Sequence, residues 1–500
     1  MVKAEGVQRE SDGVVVPVIG VQHNAPGGKG PDFDHAGGEG KRQGMAGVAP
    51  WSNNPGRRSP VDVGGSASTG KVRKLQNTLW AAAKQSEDRR FHALYDRIYR
   101  GDVLWEAWER VRRNRGAAGV DRVTLAFVEE DYGVARLLGE LQADLRSGSY
   151  RPAPSRRVDI PKPAGGVRPL GIPTVVDRVA QSATKIVLEP IFEADFLEVS
   201  YGFRPKRSAT QAMESIRKAF PQGYTQVAEA DIRGFFDNID HDVLMVAVGR
   251  RVSDRRVLKL VGQWLRAGVM SGQGFQRTVA GTPQGGVISQ LLANIYLHAF
   301  DEQVRERGLG LLVRYADDFV IMARMPGQAE AALEGARDIL ALMGLELHPD
   351  KTRVIDLREG REGFDFLGCH FRARMSGRLW EQKRLVRYYL HRWPSRAAMK
   401  RLREKVRDRT GANRTGVPIE WVIEELTPIL RGWGNYFRTG NAATKFCQID
   451  DYVVRRLRTL LVKKRGRNLH AGVADQWTEN WFNDHGLYRL RGTIRYPKAA

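Results

Sequence analysis

The sequence predicts an α+β fold in which an antiparallel sheet is backed by helices and followed by a basic helical region. Short apolar runs at 155–173, 227–232 and 311–322 read as strands, and stretches of helical period lie between them. Their order lacks a regular βαβ rhythm, which argues against a parallel doubly wound sheet. Beyond Phe371 the chain becomes basic, Trp-rich and mostly helical in pattern.

A length of 500 residues implies two to four domains, each able to bury a core. Residues 1–70 hold 15 of the 53 glycines and six prolines, so they read as a disordered leader. Leu75, Leu79, Trp80 and Ala83 then recur at helical spacing, as do Leu94, Ile98 and Val103, and residues 137–146 follow the same pattern. Ser155 to Pro173 reads as two strands around a Gly-Gly turn. Residues 174–195 and 242–267 are expected to be helical, with the strand Val227–Ile232 between them. Leu311–Met322 is expected to form a hairpin. In Gln328–Met343, Ala332, Ala336, Ile339, Leu340 and Met343 line one helical face.

Lys and Arg number 80 against 57 Asp and Glu, a net charge of +23, which favours a polyanionic partner. The two cysteines, Cys369 and Cys447, form neither a disulfide framework nor a zinc pattern, which fits a reducing, cytoplasmic setting. No run approaches the ~18 apolar residues of a membrane span, so no membrane partner is expected. Basic clusters crowd residues 384–407 and 455–467, with aromatic residues interleaved. The tryptophans alone read as core. The cations Arg401, Arg403, Lys405, Arg455, Arg456 and Arg458 read as RNA contacts.

Asp317-Asp318 sits at the bend of the expected hairpin, bracketed by apolar strands, and Asp231 ends another short apolar strand. An Asp-Asp pair alone is an ordinary turn feature. Three carboxylates converging from core strands are what nucleotidyl transfer needs. That chemistry places two hard divalent ions about 4 Å apart between the attacking and leaving oxygens. Asp237 and Asp240, further along the same motif, read as caps or turn residues.

Ala230-Asp-Ile-Arg-Gly-Phe-Phe-Asp-Asn-Ile-Asp-His241, Gly281-Thr-Pro-Gln-Gly-Gly286 and Tyr315-Ala-Asp-Asp318 occur in the order and approximate spacing of reverse transcriptases. The chain resembles those encoded by bacterial group II introns, which double as splicing cofactors, or maturases. Arg113–Asp121, Ile160–Pro163, Arg168–Pro173, Tyr201–Pro205, Leu291–Tyr296, Phe366–Gly368 and Leu430–Phe437 extend the likeness over roughly residues 75–497.

The resemblance implies a right-hand polymerase. Its fingers and palm would span 71–371, its thumb and maturase domain 372–470, and a short basic tail 471–500. It implies a metal triad of Asp231, Asp317 and Asp318 holding two Mg²⁺, with Asp231 and Asp317 the more direct ligands. Phe236, with Phe235 as the alternative, would exclude a 2′-hydroxyl. Gln284 would pack near the incoming nucleotide, and Lys162 and Arg168 would grip its triphosphate. Tyr315, Gly285 and Gly286 would support primer and template. The implied partners are the parent intron RNA, an RNA template with a DNA primer, dNTPs and target DNA. Oligomeric state is not legible.

The sequence departs from the family at Gln290, where proline is usual, and a local change in helix start is expected there. It shows no nuclease-type His and paired Cys motif, so no endonuclease is expected. A host-adopted reverse transcriptase serving defence or repair stays open as the alternative function.

Overall fold

The computed structural model describes residues 65–161, 167–271, 274–278, 280–282, 285–466, 469–470 and 472–496. Most of the expected leader, together with Lys162 and Gln284, lies outside them. The first helix spans Gly65–Gln85, starting inside the expected leader. It buries Leu75, Leu79 and Ala83, one turn apart, against the helices Gly101–Arg113 and Val175–Glu193. The helix Val175–Glu193 is buried along most of its length. Its first turn is capped by Thr174, whose hydroxyl accepts from the Asp177 amide.

Eleven strands follow one another along the described chain. β1 (Ser155–Pro161) and β2 (Val167–Ile172) form the expected hairpin. β3 (Gln226–Asp231) precedes the short strands β4 (Val269–Ser271) and β5 (Gly274–Gln276). β6 (Leu311–Tyr315) and β7 (Asp318–Ala323) flank the Ala316-Asp317 bend. β8 (Arg353–Asp356), β9 (Gly363–Phe366), β10 (Cys369–Met375) and β11 (Tyr388–Pro394) complete the set.

They assemble into three sheets of order β2-β1-β4-β5, β6-β7-β3-β8 and β11-β10-β9. The central sheet, β6-β7-β3-β8, is antiparallel throughout. Strand periodicity divides its side chains between two cores. Ala228, Ala230, Leu312, Phe319 and Ile321 face one core, shared with the helices Ser289–Glu306 and Gln328–Leu342. Val227, Val313, Val320 and Met322 face the other, shared with the C-terminal helices. Burial on both sides explains why these strands are nearly continuous apolar runs.

Four expectations change. The β1–β4 pairing is parallel, so the first sheet is mixed. The helix expected over 242–267 is two helices, His241–Gly249 and Arg255–Arg266. Asp254 makes the break: its carboxylate caps the second helix at Arg256 and Val257 and also accepts from the Leu94 and Tyr95 amides. Within the stretch expected to be mostly helical, 388–394 is strand β11, held to β10 by a seven-pair antiparallel register. The boundary expected at 371 therefore falls inside β10.

The basic C-terminal stretch otherwise forms the helices Arg396–Arg409, Ile419–Phe437 and Ala443–Arg465. No described helix is long and apolar enough to cross a membrane.

Candidate active site

Asp231 is the last residue of β3 and Asp318 the first of β7, and the two face each other in register. Asp317 occupies the bend between β6 and β7, so the three aspartates gather at one end of the central sheet's strands. Antiparallel pairing is what brings residues so distant in sequence together.

A buried scaffold holds the bend. Ala316 has φ +58°, a conformation that costs energy for any residue but glycine. The fully buried Arg314 guanidinium donates to the Ala316 carbonyl at 3.0 Å and forks onto Asp301 at 2.6 and 2.5 Å. It also donates to Asn294 Oδ1 at 3.3 Å, and Asn294 Nδ2 donates to the Gly202 carbonyl at 2.8 Å. Gly202 lies so close that a Cβ there would stand 2.4 Å from the Ala316 nitrogen. The Tyr201–Pro205 and Leu291–Tyr296 motifs thus serve as buttresses for the Ala316-Asp317 bend. Tyr315 packs against Phe203, ring centroids 6.4 Å apart.

The site is electrostatically tense. Partial desolvation in the cleft, then the neighbouring Asp317 and Asp231, push the carboxyl of the otherwise exposed Asp318 up to about 7. Lys351 opposes this by ion-pairing with Asp231, and its own pKa is raised chiefly by that hydrogen bond. The chain reaches Lys351 by zipping along the end of β3, where the His348 amide donates to the Asp231 carbonyl at 2.8 Å. Sequence reasoning missed this lysine, because it lies in a short 3₁₀ turn with no periodic signal.

A cavity of about 330 Å³ opens here, lined by Asp231, Asp318, Lys351, Arg353 and Leu367 among others. Among the described residues, no three His, Cys, Asp or Glu side chains are grouped closely enough to hold a metal ion. The Asp318 carboxyl lies within hydrogen-bonding reach of Asp231, which also ion-pairs with Lys351. The donor set is nonetheless all oxygen and strongly acidic, the chemistry that suits a hard divalent ion.

Phe235 and Phe236 lie in a 3₁₀ turn, buried and edge to face at 5.3 Å. Phe235 also packs on Tyr296. Gly281 and Thr282 are stitched to this turn, with the Thr282 amide donating to the Phe236 carbonyl at 2.8 Å. Gly285, at φ +122°, passes so close to β2 that a Cβ would stand 2.7 Å from the Gly171 carbonyl. Gly286 accepts from the Ser289 amide, and Arg168 sits on β2 opposite Ile160. The fold thus brings Gly281 and Thr282 against the phenylalanine turn and Gly285 against the β1–β2 hairpin. Asp240 caps the helix His241–Gly249. The helix beyond the glycines starts at Ser289 with Gln290 as its second residue.

The six basic candidates divide. Arg401, Lys405 and Arg455 are exposed. Arg403 lies over the Tyr452 ring. Arg456 donates to the Thr410 hydroxyl and carbonyl at 3.0 and 2.9 Å, and Arg458 to the Trp477 carbonyl at 2.5 Å. Arg456 thereby ties its helix to the end of Arg396–Arg409, and Arg458, itself exposed, ties it to the segment at Trp477.

Residues 160–371 match the family model described as reverse transcriptase (RNA-dependent DNA polymerase). Residues 399–477 match the group II intron maturase-specific domain. Protein YkfC of Escherichia coli is 36% identical over 342 residues, which cover 59% of this chain and 87% of that protein. This chain belongs to the group II intron reverse transcriptase and maturase family.

Its central sheet is accordingly the palm of a right-hand polymerase, and the enzyme class is RNA-directed DNA polymerase, a class that uses divalent metal ions. The group II intron-encoded protein LtrA of Lactococcus lactis subsp. cremoris is 38% identical over 226 residues, covering 44% of this chain and 37% of LtrA. A mitochondrial nuclear intron maturase of Arabidopsis thaliana is 37% identical over 94 residues, covering 19% of this chain and 13% of that protein.

Proposed function

We propose that this reverse transcriptase extends a primer 3′-hydroxyl with dNTPs on an RNA template, using Asp231, Asp317 and Asp318 to hold two Mg²⁺. The carrying observation is the register pairing of Asp231 with Asp318, with Asp317 at the adjoining bend. When bound, the ions would supply charge neutralisation at the attacking oxygen and the departing pyrophosphate. The chain's own residues do the positioning. Arg314 and Gly202 hold the bend from beneath, and Lys351 keeps the triad charge-balanced. Phe236 closes the sugar side of the pocket against a 2′-hydroxyl, with Gln284, Lys162 and Arg168 serving base and triphosphate. Gly285 and Gly286 let the backbone approach primer and template.

The fingers and palm expected over 71–371 would then run on through the β9-β10-β11 sheet, with the thumb and maturase region after it to about 470 and a basic tail over 471–500. The second role is to bind the parent intron RNA through exposed cations such as Arg401, Lys405 and Arg455, and so to assist splicing and insertion into target DNA.

The test is the double variant D317A/D318A, assayed for primer extension on RNA and, separately, for intron splicing. Extension should vanish while RNA binding and splicing persist. Extension near the parent level would overturn the metal assignment.

A further inference from the structure

A second cavity of about 880 Å³ opens beside the catalytic cleft, and Arg353 and Asp365 line both. Its floor is the outer face of the β9-β10-β11 sheet. Strand alternation sends Phe364, Phe366, Cys369, Phe371, Ala373 and Leu390 into the core. The opposite face therefore carries Asp365, His370, Arg372, Arg374, His391 and Trp393. The register aligns these in rows: His370 lies between Asp365 and Trp393, and Arg372 between Gly363 and His391.

The acids in reach are already paired. Asp365 is 2.6 Å from His370, and Glu229 is 2.8 Å from Arg353. Arg372, Arg374, Arg396, Arg403 and Lys445 line the cavity with no acid ion-paired to them among the described residues. The half-buried Trp393 carries the Arg374 guanidinium at 4.8 Å and the His370 ring at 5.2 Å. On the helical side Asn441, Thr444 and Gln448 add amide and hydroxyl groups.

Each feature has a counterpart in an unpaired RNA strand. Cations without an acidic partner match phosphates, although Arg372 also donates to the Gly360 carbonyl at 2.9 Å, and an aromatic platform matches a splayed base. Amides and a hydroxyl match base edges and the 2′-hydroxyl, which DNA lacks. A duplex keeps its base faces inside the stack and would leave the rings unused.

We infer that this cavity binds an unpaired RNA segment of roughly two or three nucleotides, with phosphates on the arginines and a base against Trp393. The inference rests on reading the chain as an RNA-binding polymerase and names a separate RNA site beside the catalytic one. Because Arg353 and Asp365 serve both cavities, RNA held here lies next to the polymerase centre.

The test is anisotropy of the full chain with a short unstructured RNA oligonucleotide, the same sequence as DNA, and a blunt RNA–DNA hybrid duplex. Arg372 and Arg374 are exposed, so R372Q/R374Q removes charge without opening the core. It should weaken RNA oligonucleotide binding at least tenfold and lower the salt slope by about 0.7 per lost phosphate contact. W393A should weaken the same oligonucleotide by roughly tenfold, the scale of one lost stack, and W393F should recover most of it. The hybrid duplex should lose less than threefold in each variant.

Equal losses for duplex and oligonucleotide would overturn the inference in favour of a duplex track. Equal parent affinity for RNA and DNA oligonucleotides would overturn the RNA assignment. An unchanged salt slope would reduce the face to solvated charge. Primer extension by the unaltered chain tests the polymerase reading separately.

Discussion

At the scale of single residues, the charge balance around Asp231 and Asp318 governs behaviour. The Asp318 carboxyl lies at about 7, well above its ordinary value near 4. The folded chain therefore binds a proton more tightly than the unfolded one. The resulting stability is full below about pH 4 and is lost as pH rises to about 7. In chelator, the melting temperature of the parent should fall across that window more steeply than that of D318N, as calorimetry over a pH series would show. A parallel pair of curves would refute the assignment. Lys351 works in the opposite sense, as the ammonium that neutralises Asp231. K351M should leave the carboxylates less balanced, lowering the metal-free melting temperature and raising Mg²⁺ affinity. Thermal shift against Mg²⁺ concentration, without nucleotide, reads both. Neither Lys351 nor its partner choice was legible in the sequence, because the contact joins a strand end to a 3₁₀ turn through tertiary folding alone.

At the scale of elements, the Ala316-Asp317 bend depends on what lies beneath it. Gly202 has no room for a methyl group against Ala316. G202A should cost about 1–3 kcal/mol by overpacking and displace Asp317, so primer extension should fall further than stability alone explains. Denaturant melts and single-turnover extension, measured on one preparation, separate the two effects. R314M strands the buried Asp301 without a counter-charge and should cost about 3–5 kcal/mol in the same melts. The β6–β7 hairpin itself was legible, since strands buried on both faces leave continuous apolar runs around a short polar bend. The break between His241–Gly249 and Arg255–Arg266 was not, because helical periodicity resumes after it and only the contacts of Asp254 reveal the cap. Strand β11 was obscured by the arginines that flank and punctuate it, although Arg392 is buried on the inner side of that strand.

At the scale of the whole molecule, the +23 charge is unevenly used. Arg401, Lys405 and Arg455 are exposed and, among the described residues, bear no side-chain tie of this kind, whereas Arg456 holds its helix to the end of Arg396–Arg409 and the exposed Arg458 donates to the Trp477 carbonyl. Charge reversal of the first three to Glu should weaken intron RNA binding and flatten its salt dependence while leaving the melting temperature near the parent value. R456M should do the reverse, lowering the melting temperature with little change in the salt slope. Filter binding at several salt concentrations, beside thermal melts, distinguishes the groups. A common loss of RNA binding in both would show that the internal hydrogen bonds do not segregate these arginines.

The sequence by itself determined the α+β class, the strands that carry the three aspartates and the family the motifs belong to. Those depend on local period and on residue type at short spacing, which a linear chain displays directly. The tertiary structure alone decided that Asp231 and Asp318 share a register, that Lys351 and Arg314 serve them, and that β11 completes an outward cationic face. Each of these is a contact between distant segments. Its cause is the packing of two cores on one sheet rather than any pattern within a window.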